Sequence, residues 1–316
     1  MNAMKENTKK ILQKIGSLLI LLVLMICMGL VSKQFLTIGN LKNIGIQASV
    51  NMVLSIGMLL VIIIGGIDLS IGAILALAGI VSAYLMKAGC PIFVAMAISC
   101  CAGLVLGAVN GFIVTYMKLP PFVATLGTTG IFRGTALLVT NGLPVSQLPE
   151  SVRVIGQGSL LGVPNPIVIM LIVAVIIYVV LTYTSYGRSL YAIGSNYEAT
   201  RLSGVPVKRN MMITYTLEGF LAAVAGVILL GRLAVAQPNA ATGYESNAIA
   251  AAVIGGASFS GGRGTVVGAL IGALIISVLN NGFTLLGLNS FVQQIAIGVV
   301  VVLAVFADIL QREKTN

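Results

Sequence analysis

The chain has 316 residues, of which 58% are apolar and only 8% charged, with 37 glycines and a formal net charge of +10. Soluble domains carry about 25% charged residues, so a soluble enzyme is excluded. Histidine is absent and the four cysteines, Cys27, Cys90, Cys100 and Cys101, form no CxxC pair, which removes the ligands of a zinc or haem site and the framework of a disulfide scaffold.

Apolar runs recur along almost the whole length, each about the 20 residues that cross a roughly 30 Å hydrocarbon core as a helix. They predict an all-α polytopic membrane protein of about ten transmembrane helices in a compact, glycine-rich bundle. After an N-terminal tail, 1–15, the first span covers 16–32. Its apolar core is followed by Val31, Ser32, Lys33 and Gln34 rather than by a small-x-small cleavage site, so it is not expected to be a cleavable signal peptide. Further spans are expected at 44–64, 69–86, 91–117, 120–140, 166–184, 210–231, 246–262, 264–286 and 290–309, before a C-terminal tail at 310–316. Two of them are unusual. Residues 246–262 are small rather than greasy, which suits a helix buried among others and leaves a count of nine spans open. The stretch 44–64 ends at Gly65 and Gly66, just before Asp68, where a glycine pair can break a helix in or near the membrane.

Basic residues collect on the cytosolic side of membrane proteins. With both termini inside, Lys5, Lys9, Lys10, Lys14, Lys118, Arg188, Arg201, Lys208, Arg209, Arg263, Arg312 and Lys314 are cytosolic, twelve of the 18 Lys and Arg. Lys33, Lys42, Lys87, Arg153 and Arg232 fall outside, and Arg133 falls within a span. The positive charge therefore records N-in, C-in orientation rather than nucleic-acid binding.

Two hydrophilic loops are long. The outer one, 141–165, is rich in glycine and proline and nearly uncharged, which predicts a turn-rich cap. The inner one, 185–209, is charged. Within it Asn196 is an N-cap candidate, Tyr197 to Ser203 a short helix, and Gly204 with Pro206 its stop. Such a helix is either a docking element or a solvated connector.

Glycines at 103, 107 and 111, and again at 264, 268 and 272, form stripes that permit close backbone approach. Ionisable groups inside a span cost about 2.5–3.5 kcal/mol on insertion scales unless they face protein or water, so Asp68, Arg133 and Glu218 need an explanation. Asp68 can cap the helix that starts after it. Arg133 and Glu218 are expected to pair inside the bundle. Gln47, Asn51 and Ser55 share one helical face, as do Ser277, Asn281 and Thr284. These faces suit a polyhydroxylated solute or hydrogen bonding between helices, so Gln47, Asn51, Asp68, Asn247 and Asn281 are candidates for a translocation path. A GxSxG elbow, an HExxH motif and a GxxxxGK[ST] phosphate loop are all missing from the sequence, so neither catalysis nor P-loop ATP hydrolysis is expected of this chain.

Four stretches taken together resemble the permeases of ribose-type ABC importers. They are GGIDLSIGAILALAG (65–79), GRSLYAIGSNYEATRLSG (187–204), AQPNAATGYESNAIAAAVIGGASFSGGRGTVVGALIGALI (236–275) and LNNGFTLLGLNSF (279–291). The resemblance extends from about residue 35 to 308 and implies one permease domain over 16–309. It further implies a homodimer that carries a small sugar or polyol, a cytosolic ABC ATPase that holds ATP-Mg, an extracytoplasmic sugar-binding protein, and no cofactor or metal on this chain. By the same resemblance Asn196, Glu198, Ala199, Arg201 and Gly204 form the segment that docks on the ATPase. Two positions depart from the pattern: Asn247 stands where relatives resembling TxYELDAIAA carry an acid, and Glu218 where they more often carry a small or apolar residue. The alternative is a secondary transporter driven by an ion gradient, which needs a buried titratable chain. A purely structural or channel-forming bundle is a further alternative.

Overall fold

The computed structural model describes residues 2–313, with side chains described for 16–303, 305 and 306. The tail lysines, Arg312 and Lys314 that contribute to the orientation argument lie outside these side chains. The chain is helical almost throughout. Helix α1 runs Asn2–Val31, α2 Ile38–Ile63, α3 Ile71–Lys87, α4 Ile92–Thr115, α5 Pro121–Thr140 and α7 Asn165–Tyr183, with α6 (Arg153–Gln157) in the loop before α7. Two short helices, α8 (Ser185–Ser195) and α9 (Tyr197–Leu202), precede α10 (Val207–Leu233), and α11 (Tyr244–Ile254), α12 (Val266–Leu285) and α13 (Ser290–Glu313) complete the bundle.

Helix ends follow local chemistry. The Thr37 hydroxyl accepts from the Asn40 N–H and opens α2, and Thr265 does the same for α12 through the Gly268 N–H. Proline, whose missing N–H is no loss in a first turn, starts α5 and lies in the first turn of α7. Asn141 and Ala234 close α5 and α10 in the left-handed conformation.

Six helices, α2, α4, α5, α7, α10 and α12, are long and apolar enough to cross a membrane, and the apolar parts of α1, α3 and α13 are shorter. The bundle is layered by burial. The most apolar stretch of α2 is 83% buried, against 22% for α4 and 28% for α5, so α2 is a central post, whereas α4 and α5 turn Phe93, Val105, Phe112, Phe122 and Leu126 outward. Around α2 stand α7, α10, α11 and α12. An exposed apolar face of this extent fits a lipid environment.

The region expected as a span at 246–262 is not one. Its helix, α11, has 11 residues, roughly 16 Å at 1.5 Å per residue, about half a hydrocarbon core. It ends at Gly255, beyond which Gly256 takes a positive φ and the chain turns through 257–265 into α12. The small residues are there because α11 packs at backbone distance on α12: a methyl group at Gly255 or Gly268 would strike the other's backbone, and one at Gly272 would strike Ala251.

The outer loop is more ordered than a turn-rich cap suggests. It holds a short 3-10 helix at Glu150–Val152, then α6, then a two-stranded antiparallel ribbon pairing Ser159 with Pro164 and Leu160 with Val163. Val145 and Ala236 exchange backbone hydrogen bonds of 2.8 and 3.0 Å, and Gln157 Nε2 donates to the Arg232 carbonyl, so the cap is fastened to the end of α10.

The stripe Gly103, Gly107, Gly111 lies against α10, where added methyls would collide with Gly219, Ala223, Met212 and the Tyr215 carbonyl. Gly107→Leu is expected to force α4 off α10 and cost about 1–3 kcal/mol, read as a lowered thermal midpoint of the purified protein. Gly130→Ala, where open space surrounds the added methyl, should not lower it. Equal midpoints for Gly107→Leu and wild type would refute this packing.

Candidate functional site: a helical bracket bolted to interrupted helices

On the side of the bundle predicted to be cytosolic, α8 and α9 form a bracket whose corner is Asn196. Its extended backbone, φ −159° and ψ 102°, breaks the helix, and its Oδ1 accepts from the Ala199 N–H at 2.9 Å to start the next one. Gly204, at φ +80°, ends it, a conformation that glycine adopts without a Cβ penalty. The expected short helix is therefore present, and Asn196 and Gly204 sit at its two ends. Glu198 and Arg201 pair at 2.8 Å on its exposed face, with Ala199 also exposed. An exposed pair of this kind contributes little to stability, so these charges are available to a partner.

The pattern of short-helix signals did not reveal α8, which fixes the bracket to the bundle. Tyr186 donates or accepts at Thr214 of α10 (2.8 Å), and Tyr191 Oη donates to the Gly264 carbonyl (2.9 Å). Burial pushes the Tyr186 phenol up to about 12 and raises that of Tyr191, so both remain neutral hydroxyls. Gly194 packs so closely on the Ile63 carbonyl and the Gly262 nitrogen that a side chain there would overlap them, and the Gly262 N–H donates to Ile63 O at 2.8 Å. The bracket thus grips the end of α2, the start of α10 and the 257–265 turn together.

Above it, 64–70 links α2 to α3 without helix. Gly65 and Gly66 do break the chain here, as their spacing predicts, with Gly66 packed under the Tyr215 hydroxyl. Asp68 lies at the start of α3, fully buried. Its Oδ1 accepts from the Ser70 N–H (2.6 Å) and its Oδ2 from Asn110 Nδ2 (2.9 Å). Thr125 of α5 accepts from the Leu69 N–H and donates to the Ile67 carbonyl or to its own helix.

The two polar faces expected as pathway candidates meet each other. Asn40 and Asn281 exchange amide hydrogen bonds at 2.9 and 3.0 Å, and Asn51 Nδ2 donates to Ser277 Oγ at 3.3 Å, joining α2 to α12. Half-buried Gln47 lies one turn before Asn51, and Asn247 is buried in α11. Asp68 belongs to the separate cluster at the connector.

Arg133 and Glu218 are not brought together. Arg133 Nη1 donates to the carbonyls of Pro238 and Ala240, each at 2.7 Å, and the acid whose charge it faces is Glu245. Glu218 instead lies against α2 at Gly57, beside Asp68. Spacing within separate spans carries no information on which helices adjoin. Asn110 and Tyr215 were also missed; the signal available was an amide and a phenol interrupting apolar runs.

If the Asn40–Asn281 amide pair joins α2 to α12, a double-mutant cycle with Asn40→Ala and Asn281→Ala should give a coupling of about 0.6 kcal/mol, the usual size for such contacts in membrane proteins. Additive single mutants would show that the amides do not engage each other.

The family model described as "Branched-chain amino acid transport system / permease component" matches residues 40–306. The ribose import permease protein of Escherichia coli K12 is 46% identical over 305 residues, 95% of either chain. That of Bacillus subtilis 168 is 44% identical over 300 residues, 94% of this chain and 93% of its own. The D-allose transport system permease protein of Escherichia coli K12 is 39% identical over 297 residues, 93% and 91% of the two chains. No solved structure matches. With a helical bundle of membrane-crossing length and relatives this similar over nearly its whole extent, the chain belongs to the permease-component family of transport systems and is a ribose-type ABC permease, a multi-pass bacterial inner-membrane protein.

Proposed function

We propose that this chain is the membrane subunit through which an ATP-driven importer moves a monosaccharide, ribose or a related small sugar or polyol, into the cell. Relatives whose names state ribose and D-allose support the substrate class. In this reading residues 16–309 are one permease domain of about ten membrane-embedded helices, of which the short α11 does not cross on its own, with the tails 1–15 and 310–316 and the coupling loop 185–209 in the cytosol and the cap 141–165 outside. Two copies form a homodimer, a cytosolic ATPase binds ATP-Mg, an extracytoplasmic protein delivers the sugar, and the chain itself holds no cofactor.

The observation that carries this reading is the α8–α9 bracket. A six-residue helix capped at both ends, exposed on one side and locked by α8 to α2, α10 and the 257–265 turn, transmits a displacement to three elements at once. Closure of the ATPase on ATP would push α9 as a rigid lever and rock the protomers between inward and outward openings. Asn196, Glu198, Ala199, Arg201 and Gly204 supply the corner, the exposed contacts and the stop. Gln47, Asn51, Asp68, Asn247 and Asn281 line or brace the path between the rocking halves.

Reconstitution into vesicles tests the reading. Uptake that requires ATP, the ATPase and the binding protein is expected; uptake by this chain alone, driven by a pH or sodium gradient, would establish the secondary-transporter alternative. Within the assembled system, Glu198→Lys reverses one member of the exposed pair and Gly204→Pro demands a φ near −65° where the chain needs +80°. Both should abolish transport-coupled ATP hydrolysis while the membrane bundle of the isolated permease stays folded, read as a retained cooperative thermal transition. Normal transport in either variant would remove α9 from the coupling role.

A further inference from the structure

Five polar side chains converge where the 64–70 connector meets α10: Asp68, Ser70, Asn110, Tyr215 and Glu218, each no more than 1% exposed. Their hydrogen bonds do not balance. Asn110 Nδ2 uses its two N–H groups on Asp68 Oδ2 and on Ser70 Oγ, at 2.9 and 2.7 Å. Asp68 also takes the Ser70 N–H. Left without partners among the described residues are both oxygens of Glu218, the Tyr215 hydroxyl and Asn110 Oδ1. Glu218 lies beside the Asp68 carboxyl, a contact that can be a hydrogen bond only if one of the two carries a proton.

The surroundings hold no compensating charge. Facing this pair are Gly57 from α2, Ser70 from the start of α3, Asn110 from α4 and Tyr215 from α10, and among the described residues no lysine or arginine pairs with either acid. Two buried carboxylates in contact cannot both ionise without a cation. Which one holds the proton follows from the bonds already made. Both Asp68 oxygens already accept donors, which favours the carboxylate there, and neither Glu218 oxygen accepts any.

We propose that Glu218 binds a proton and donates it to the Asp68 carboxylate, making the junction of the α2–α3 connector with α10 a proton-occupied site. One proton supplies the missing donor, needs no added volume and removes the repulsion between the acids. Its position gives it leverage. Glu218 stands one turn beyond Thr214, which the bracket grips through Tyr186, and the connector starts where Gly194 and Gly262 hold Ile63. The bound proton therefore clamps together two elements that the docking bracket holds from below, and its loss would set two carboxylates against each other at that joint.

Infrared spectroscopy of the purified full-length protein at neutral pH tests the site without any transport assay. The wild type should show the C=O stretch of a protonated carboxyl, labelling with ¹³C-glutamate should shift it to lower frequency, and Glu218→Gln should abolish it. Because the glutamine amide still donates to Asp68, that variant should keep the thermal midpoint, whereas Glu218→Ala should lower it. A missing band, or a band that ¹³C-glutamate leaves unmoved, overturns the proposal, and the labelling result stands even if Glu218→Gln fails to fold. A wild-type midpoint that rises with sodium concentration, and does so no longer in Glu218→Gln, would assign the site to a metal cation and equally overturn it.

Discussion

Backbone that leaves a helix inside an apolar bundle loses its internal hydrogen bonds where water cannot replace them, and each group left bare costs several kcal/mol. This chain leaves the helix three times among its buried elements, at 64–70, at 234–243 and at 255–265, and at each break a side chain from a neighbouring helix closes the deficit. Thr125 serves Ile67 and Leu69; Arg133 serves Pro238 and Ala240; Tyr191 serves Gly264. Two polar residues of the spans, Thr125 and Arg133, are explained by this requirement. Arg133 in particular is a hydrogen-bond donor to stranded carbonyls, with Glu245 as its charge partner, rather than half of an ion pair with Glu218.

The same breaks give the bundle its mechanical character. A continuous helix transmits a push along its own axis only, whereas the bracket formed by α8 and α9 touches two of the three irregular segments at their ends. The Ile63 carbonyl is contacted by Gly194 and bonded by Gly262, and α10 is bonded through Tyr186 and Thr214. Glycine makes this possible at Gly194, because any side chain would hold the bracket away from the α2 terminus. A displacement of α9 is then shared by α2, α10 and the start of α12, the three helices with the greatest buried share among those long enough to cross.

What the sequence makes legible divides along the range of the interactions. The apolar runs locate nine helices to within a few residues at most ends, and the Asn196 to Gly204 signals locate α9, because hydropathy and capping act over one or two turns. The failure at 246–262 has the same origin: Ala and Gly keep hydropathy high without requiring a helix of crossing length, and Gly255 and Gly256 stop α11 after 11 residues. The residues proposed to dock on the ATPase are legible through the resemblance of their neighbourhood to a known family, whereas α8 carries an N-cap signal in Thr184 and a buried face of Gly187, Leu190 and Ile193 but is too short and too polar to read as a span.

Contacts between distant helices were beyond that range. Spacing places Asn51 and Ser55 on one face and Ser277 and Asn281 on another, yet only the folded chain shows the two faces bonded to each other, with Asn40 as an unforeseen third member. The buried acids are the sharper case. An isolated Asp68 is a helix cap and an isolated Glu218 an expensive anomaly in an apolar span. Side by side, with Asn110 already committed and Tyr215 close at hand, they form one site in which a proton can be shared, an arrangement that neither residue offers alone. An acid that disrupts one span by itself becomes tolerable when a second acid accepts its proton, and Asn110 of α4 can reach Asp68 beside Glu218 of α10 because the glycine faces of α4 and α10 let the backbones approach so closely.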